Sequence, residues 1–189
     1  MISKLLVKLC GNIWRVKSAC NSQSTLLSKM AKILYESYQY ENSSSIAWNS
    51  KFSSEPCLPH GIKGIFISGG AKIGHNCVIF QQVTIGSITL PDSKNKGAPL
   101  IGDNVYIGAG AKIVGNITVG DNVRIGANTV ITKNVPANSV VISSKQEIIH
   151  KKTILDNRFY SYRGEWVFFN KGKYERVQDP QILKLLKFE

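Results

Sequence analysis

An aliphatic residue returns every six positions along most of the stretch from Ile67 to Pro136, and no other feature limits the fold so tightly. Ile67, Ile73, Ile79 and Ile85 are followed, after one interruption, by Ile101, Ile107, Ile113, Val119, Ile125 and Ile131. Each opens a hexad whose second position is often Gly and whose fifth is small or branched, as in IGDNVY, IGAGAK, VGDNVR and IGANTV. A period of six is neither the 3.6 of a helix nor a plain strand alternation. It describes a strand-and-turn unit that buries one aliphatic side chain per pass. Gly and Asn at the second to fourth positions suit backbone that turns sharply, where positive φ is needed. The predicted architecture is a parallel β-helix, whose stacked coils satisfy one another's backbone hydrogen bonds and share a continuous core.

Ile46 and Phe52 start two imperfect hexads, IAWNSK and FSSEPC, so the solenoid is expected to begin near residue 46. Between this turn and Ile67, Leu58-Pro59-His60-Gly61-Ile62-Lys63-Gly64 breaks the period; Pro and two glycines mark a bulged loop. The period breaks again from Gly86 through Pro99 and resumes at Ile101, which predicts a loop projecting from one corner and walling a site. The expected division is a helical segment over 1–45, a β-helix over 46–142 with a projecting loop at 86–100, and a capping extension over 143–189.

Two amphipathic helices are expected before the solenoid. Leu5, Leu6, Leu9, Ile13 and Val16 share one face, weakened in the middle by Gly11, and Leu26, Leu27, Met30, Ile33 and Leu34 mark the second. They either pack on the β-helix or neighbouring subunits, or rest their basic face on anionic membrane. After the repeats, Glu165–Phe169 and Tyr174–Val177 flank a turn and predict a hairpin, followed by a short basic helix after Pro180. This aromatic tail is expected to cover the last rung, with a sugar-stacking platform around Trp166 as the alternative.

The 189 residues carry a formal net charge of +12, which favours polyanionic partners; basic residues are spread without a nucleic-acid-binding motif, and nucleic acid is not expected. No apolar run reaches the length of a membrane span, and the start is too broken by Lys and Gly for a signal peptide, so a cytoplasmic location is expected. Cys10, Cys20, Cys57 and Cys77 fall at no metal or redox spacing and read as reduced, buried or half-buried thiols. No metal is expected.

Of the three histidines, His75 falls at a hexad corner and His150 in the polar segment QEIIHKK, whereas His60 occupies the Pro/Gly loop where the regular coil starts. Imidazole titrates near neutrality without tuning, which suits a general base acting on a hydroxyl.

VTIGS at Val83, IGAGAKIVGNITVG at Ile107 and IGANTVITKNVP at Ile125 resemble the hexapeptide-repeat acyltransferases, and Lys51 through Thr132 is similar to their serine acetyltransferase branch and its polysaccharide O-acetyltransferase relatives. The resemblance implies a mainly β, left-handed parallel β-helix, acetyl-CoA as donor, a homotrimer, and active sites between adjacent subunits. It places His60 as the base that deprotonates the acceptor for direct attack on the thioester. It also implies main-chain donor contacts near Ala109 and Ala127, with Arg124, Thr132 and Lys133 near the nucleotide end and Ser87 flanking the thioester. The branch's charged handles for an amino acid and for its histidine align with Ser45, Pro59 and Ala98, and all three are uncharged here. A backbone carbonyl or Glu55 is left to orient His60. On these departures the expected acceptor is a sugar hydroxyl of a bacterial surface polysaccharide or its precursor. Serine O-acetyltransferase is the alternative, and a non-enzymatic β-helical scaffold a second one.

Overall fold

The structure is a computed structural model describing residues 2–90, 92–143 and 147–186. Pro91 of the expected loop, Gln146 of the QEIIHKK segment and the end of the C-terminal basic helix from Lys187 onward lie outside the described residues.

Three parallel sheets form the faces of a triangular solenoid. The first stacks β1 (Ser45–Ile46), β3 (Phe66–Ile67), β6 (Thr84–Gly86), β9 (Lys112–Val114) and β12 (Val130–Ile131). The second holds β2 (Lys51–Phe52), β4 (Lys72–Ile73), β7 (Leu100–Ile101) and β10 (Thr118–Val119). The third holds β5 (Val78–Ile79), β8 (Tyr106–Ile107), β11 (Arg124–Ile125) and β13 (Ser139–Ile142), with β14 (Glu147–His150) antiparallel to β13 at its end.

Register follows the repeat. Ile67 lies beside Ile85 and Ile113 beside Ile131, each 18 positions on. Ile85 pairs with Ile113, 28 positions on, so the interruption adds ten residues at one corner and leaves the stacking intact. Ile46 pairs with Ile67, 21 positions on, which places a three-residue insertion in the His60 loop. Ile73, Ile79, Ile85, Ile101, Ile107, Ile113, Ile125 and Ile131 are each at most 2% exposed and fill the axis. Truncating one of them to Ala would cost about 2–5 kcal/mol through lost transfer energy and a residual cavity.

The corners divide labour between the second and fourth positions of the hexad. Positive φ falls at the fourth, at Asn76, Asn104, Asn122, Asn128 and Asn138, where Asn tolerates the left-handed region. The second-position glycine serves close approach of neighbouring coils: a Cβ on Gly108 would lie 2.7 Å from the Ala127 nitrogen and 2.9 Å from the Ile125 oxygen. At the corner between the second and third sheets, Asn76 Nδ2 donates to Asn104, Asn104 to Asn122 and Asn122 to Asn138, at 3.3, 3.2 and 3.1 Å. This amide ladder runs along the solenoid axis.

Three helices, α1 (Ile2–Leu9), α2 (Ile13–Ala19) and α3 (Thr25–Glu41), precede the solenoid. The first expected helix is broken at Gly11 (φ +99), and Asn12 caps α2 by accepting from the Arg15 N–H. A small core of Val7, Val16, Cys20, Ala31 and Tyr35 joins the three helices, and Trp14 and Tyr38 pack on the solenoid core. Buried Gln39 of α3 closes the open edge of β1, its Nε2 donating to the Ile46 carbonyl at 2.8 Å and its Oε1 accepting from the Ile46 N–H. The Lys17 ammonium reaches the carbonyls of Trp48 and Ser50, and burial pulls its pKa below the ordinary lysine value.

Of the segment expected to cap the solenoid, β14 lies at its end and the remainder climbs back along the third sheet. Lys151 N–H bonds Asn138 at the last coil, Asn157 Nδ2 reaches the Asn104 and Val123 carbonyls, and Lys171 N–H bonds Asn76 Oδ1 near the first. This strap contains the sheet β15 (Tyr160–Tyr162), β16 (Trp166–Asn170) and β17 (Lys173–Arg176), and then α4 (Pro180–Leu186). The expected hairpin is β16–β17, and β15 adds a strand to it. Cys20, Cys57 and Cys77 are buried free thiols, and burial pushes Cys57 and Cys77 up to about 12; Cys10 is exposed, against the expectation for all four.

Candidate active site

His60 stands at the corner between the third and first sheets, at the top of the solenoid. Leu58 and Ile62 on either side anchor in the core, so the loop is pinned at two points and its tip turned outward. The Gly61 N–H bonds the Leu58 carbonyl at 3.1 Å, and Gly61 takes φ +69 with open space where a side chain would go. The imidazole is exposed, with its centroid 5.8 Å from that of Phe80. Phe80 in turn lies 5.2 Å from Tyr106 and 6.2 Å from Phe159 of the strap, forming an aromatic shelf beneath the histidine.

Ala109 and Ala127 lie on this same corner in successive coils, half-buried and exposed respectively. The Ala109 carbonyl accepts from the Asn128 N–H at 2.8 Å, so that oxygen is engaged within the corner. At this corner glycine and alanine keep the side chains short where the coils approach closely, and Lys112 lies one strand away, its Nζ on the Gln82 carbonyl at 2.7 Å.

Ser87, Thr132 and Lys133 occupy a different corner, between the first and second sheets. The long loop does not simply project there. Ile88 and Gly97 pair across it, Asn116 N–H bonds the Asn95 carbonyl, and Asn95 Nδ2 reaches the Thr132 carbonyl at 3.4 Å, so the loop lies down along two further coils. Arg124 is on the third sheet, its guanidinium donating to the Asp156 carbonyl at 2.8 Å. Glu55 turns to Asn12 Nδ2, at 3.4 Å, and lies at the corner between the second and third sheets, so it does not hold His60. Within one chain the structure therefore sets His60, Ala109 and Ala127 on one corner, in different coils, and Ser87, Thr132 and Lys133 across the width of the first sheet.

Sequence reasoning missed Phe80, Tyr106 and Phe159. Phe80 carried a signal: it occupies the second hexad position, where Gly74, Gly102, Gly108, Gly120 and Gly126 stand in other coils. Trp166, considered for sugar stacking, instead packs edge-on against Tyr162 within the strap. Among the described residues no three His, Cys, Asp or Glu side chains gather as a metal group.

The stacked hexad coils define a hexapeptide β-helix protein. Residues 98–133 match the family described as bacterial transferase hexapeptide (six repeats). The chain is 36% identical over 114 residues to a serine acetyltransferase of Staphylococcus aureus, covering 60% of this chain and 52% of that one. Among solved structures it is similar to serine acetyltransferase isoform 3 of Entamoeba histolytica in complex with cysteine (TM-score 0.58, 32% identity, 75% of this chain and 50% of that one). A serine acetyltransferase in complex with CoA is also similar (TM-score 0.59, 26% identity, 72% and 54%). Residues 98–133 carry the hexapeptide transferase repeat and the fold is the left-handed β-helix of its solved neighbours; the chain spans about half the length of the curated relatives it matches.

These comparisons overturn the expected polysaccharide acceptor, since curated relatives and solved neighbours alike are serine acetyltransferases. That expectation rested on uncharged residues at Ser45, Pro59 and Ala98. An absent handle says which groups do not grip an amino acid, not which acceptor is bound. The positive charge is equally a match for the phosphates of CoA and does not select a glycan.

Proposed function

We propose that the protein is an acetyl-CoA-dependent O-acetyltransferase with the serine hydroxyl as acceptor and His60 as general base. The observation that carries this reading is the position of His60: an exposed imidazole held over an aromatic shelf, on the same solenoid corner as Ala109 and Ala127. The imidazole takes the hydroxyl proton as the serine oxygen attacks the thioester carbonyl; the C–S bond breaks, and the proton passes to the departing thiolate. General-base action of this kind contributes about 10²- to 10⁴-fold.

The site is completed between copies. From Ala127 to Thr132 the chain crosses the first sheet, a span of at most about 17 Å, and the sheet itself prevents the two corners from meeting within one protomer. A homotrimer places the corner bearing Ser87, Thr132 and Lys133 of one copy against the corner bearing His60 of the next. The exposed Phe66 on the outer face of the first sheet suits such packing.

With Ser45, Pro59 and Ala98 uncharged, serine is held weakly, and a KM at or above about 1 mM is expected. The test is serine-dependent release of CoA, followed by the free thiol. Release that requires L-serine supports the reading; hydrolysis of acetyl-CoA at the same rate with and without serine contradicts it.

A further inference from the structure

The helical segment turns an apolar surface outward. On α1, Ile2, Leu5 and Leu9 form one stripe, 77%, 61% and 75% exposed, while Ser3 and Val7 face inward. On α3, Leu26, Met30 and Ile33 form a second, 70%, 61% and 67% exposed. Leu6, Leu27 and Leu34 line a groove of about 880 Å³ between them. Contiguous apolar surface of this kind marks an interaction site.

The charges around it decide what covers it. Lys4, Lys8, Arg15 and Lys29 are exposed on these helices, and α1 and α2 contain no Asp or Glu. The acidic groups of the helical segment are Glu36 and Glu41, in the last two turns of α3, with Glu41 engaged with Ser3, and Glu55 of the solenoid is engaged with Asn12. Long apolar side chains interleaved with lysines match the boundary between acyl chains and anionic headgroups. A second copy would oppose basic rims of like sign. No helix among the described residues is long and apolar enough to cross a membrane, so the contact lies in the interface plane.

We propose that α1 and α3 dock the protein on an anionic lipid bilayer through these two stripes. The full chain is sedimented with vesicles of phosphatidylcholine alone and of phosphatidylcholine with an equal part of phosphatidylglycerol, and its mass without lipid is measured by light scattering. Binding to the anionic vesicles is expected to be at least about tenfold stronger and to weaken with salt. The double variant Leu5→Glu/Met30→Glu loses it at unchanged mass. Lys4→Gln/Lys8→Gln, which leaves the apolar stripes intact, weakens it several-fold and keeps the test valid should the first variant fold poorly. Absence of binding to anionic vesicles overturns the proposal, as does binding that both variants retain. A lipid-free mass that falls in the Leu5→Glu/Met30→Glu variant also overturns it, because a second copy then covers the face.

Discussion

The ring of His60 rests with its centroid 5.8 Å from that of Phe80, the two planes inclined at 59°. Phe80 occupies a hexad position that other coils give to glycine, so one exchange in the repeat supplies the surface against which the histidine is positioned.

Phe80→Gly restores the repeat and removes that surface. Turnover is expected to fall about tenfold or more while the KM for acetyl-CoA stays within about twofold, because Ala109 and Ala127 are untouched. Phe80→Tyr, which keeps the ring, restores the rate. Thermal melts separate this from simple destabilisation, which lowers the active fraction and so also reduces turnover at unchanged KM: a melting temperature kept at the parent value beside the lost turnover assigns the loss to positioning.

Gln39 stands in for a missing coil by pairing with both backbone groups of Ile46. Gln39→Leu keeps the volume and leaves a buried N–H and C=O without partners, at about 1–3 kcal/mol each. Urea unfolding is expected to shift its midpoint down with the slope unchanged; an unshifted midpoint contradicts the role.

At Asn104 two demands are superposed, a φ of +55° and a side chain bridging Asn76 and Asn122. Asn104→Gly meets the first and fails the second, and Asn104→Ala fails both. Alanine is therefore expected to be the more destabilising, by about 1 kcal/mol, which chemical denaturation of the two variants measures directly.

The strap carries an acid-sensitive clasp. Desolvation pushes Asp156 up, but hydrogen bonds from Arg158 and Tyr160 outweigh it and hold the carboxyl below its ordinary value of 3.8. Between the depressed value and 3.8 the locally unfolded strap binds more protons than the folded one. The contribution is therefore fully present above that window and lost as pH falls through the depressed value. Amide exchange over Tyr160–Tyr162 is expected to quicken at the acid end, and Asp156→Asn to show that quickening at neutral pH.

The solenoid was legible because each coil must bury an aliphatic residue at the same place, so Ile67, Ile85, Ile113 and Ile131 announce their own stacking. The loop holding His60 was legible as a break in that rhythm. What escaped depends on contacts distant in sequence. Nothing near Phe159 says that it reaches Phe80, and nothing near Gln39 says that its amide replaces a strand. The apolar residues of α1 were visible, but which of them face inward depends on the break at Gly11. The acceptor is not legible at Ser45, Pro59 and Ala98, because a missing charge there removes a grip on one substrate without creating a grip on another.

The most direct test is His60→Gln, assayed for serine-dependent CoA release and titrated with CoA by calorimetry. The account predicts turnover lowered about 10²- to 10⁴-fold with CoA affinity within about twofold of the parent. Turnover that persists at the parent rate would contradict it.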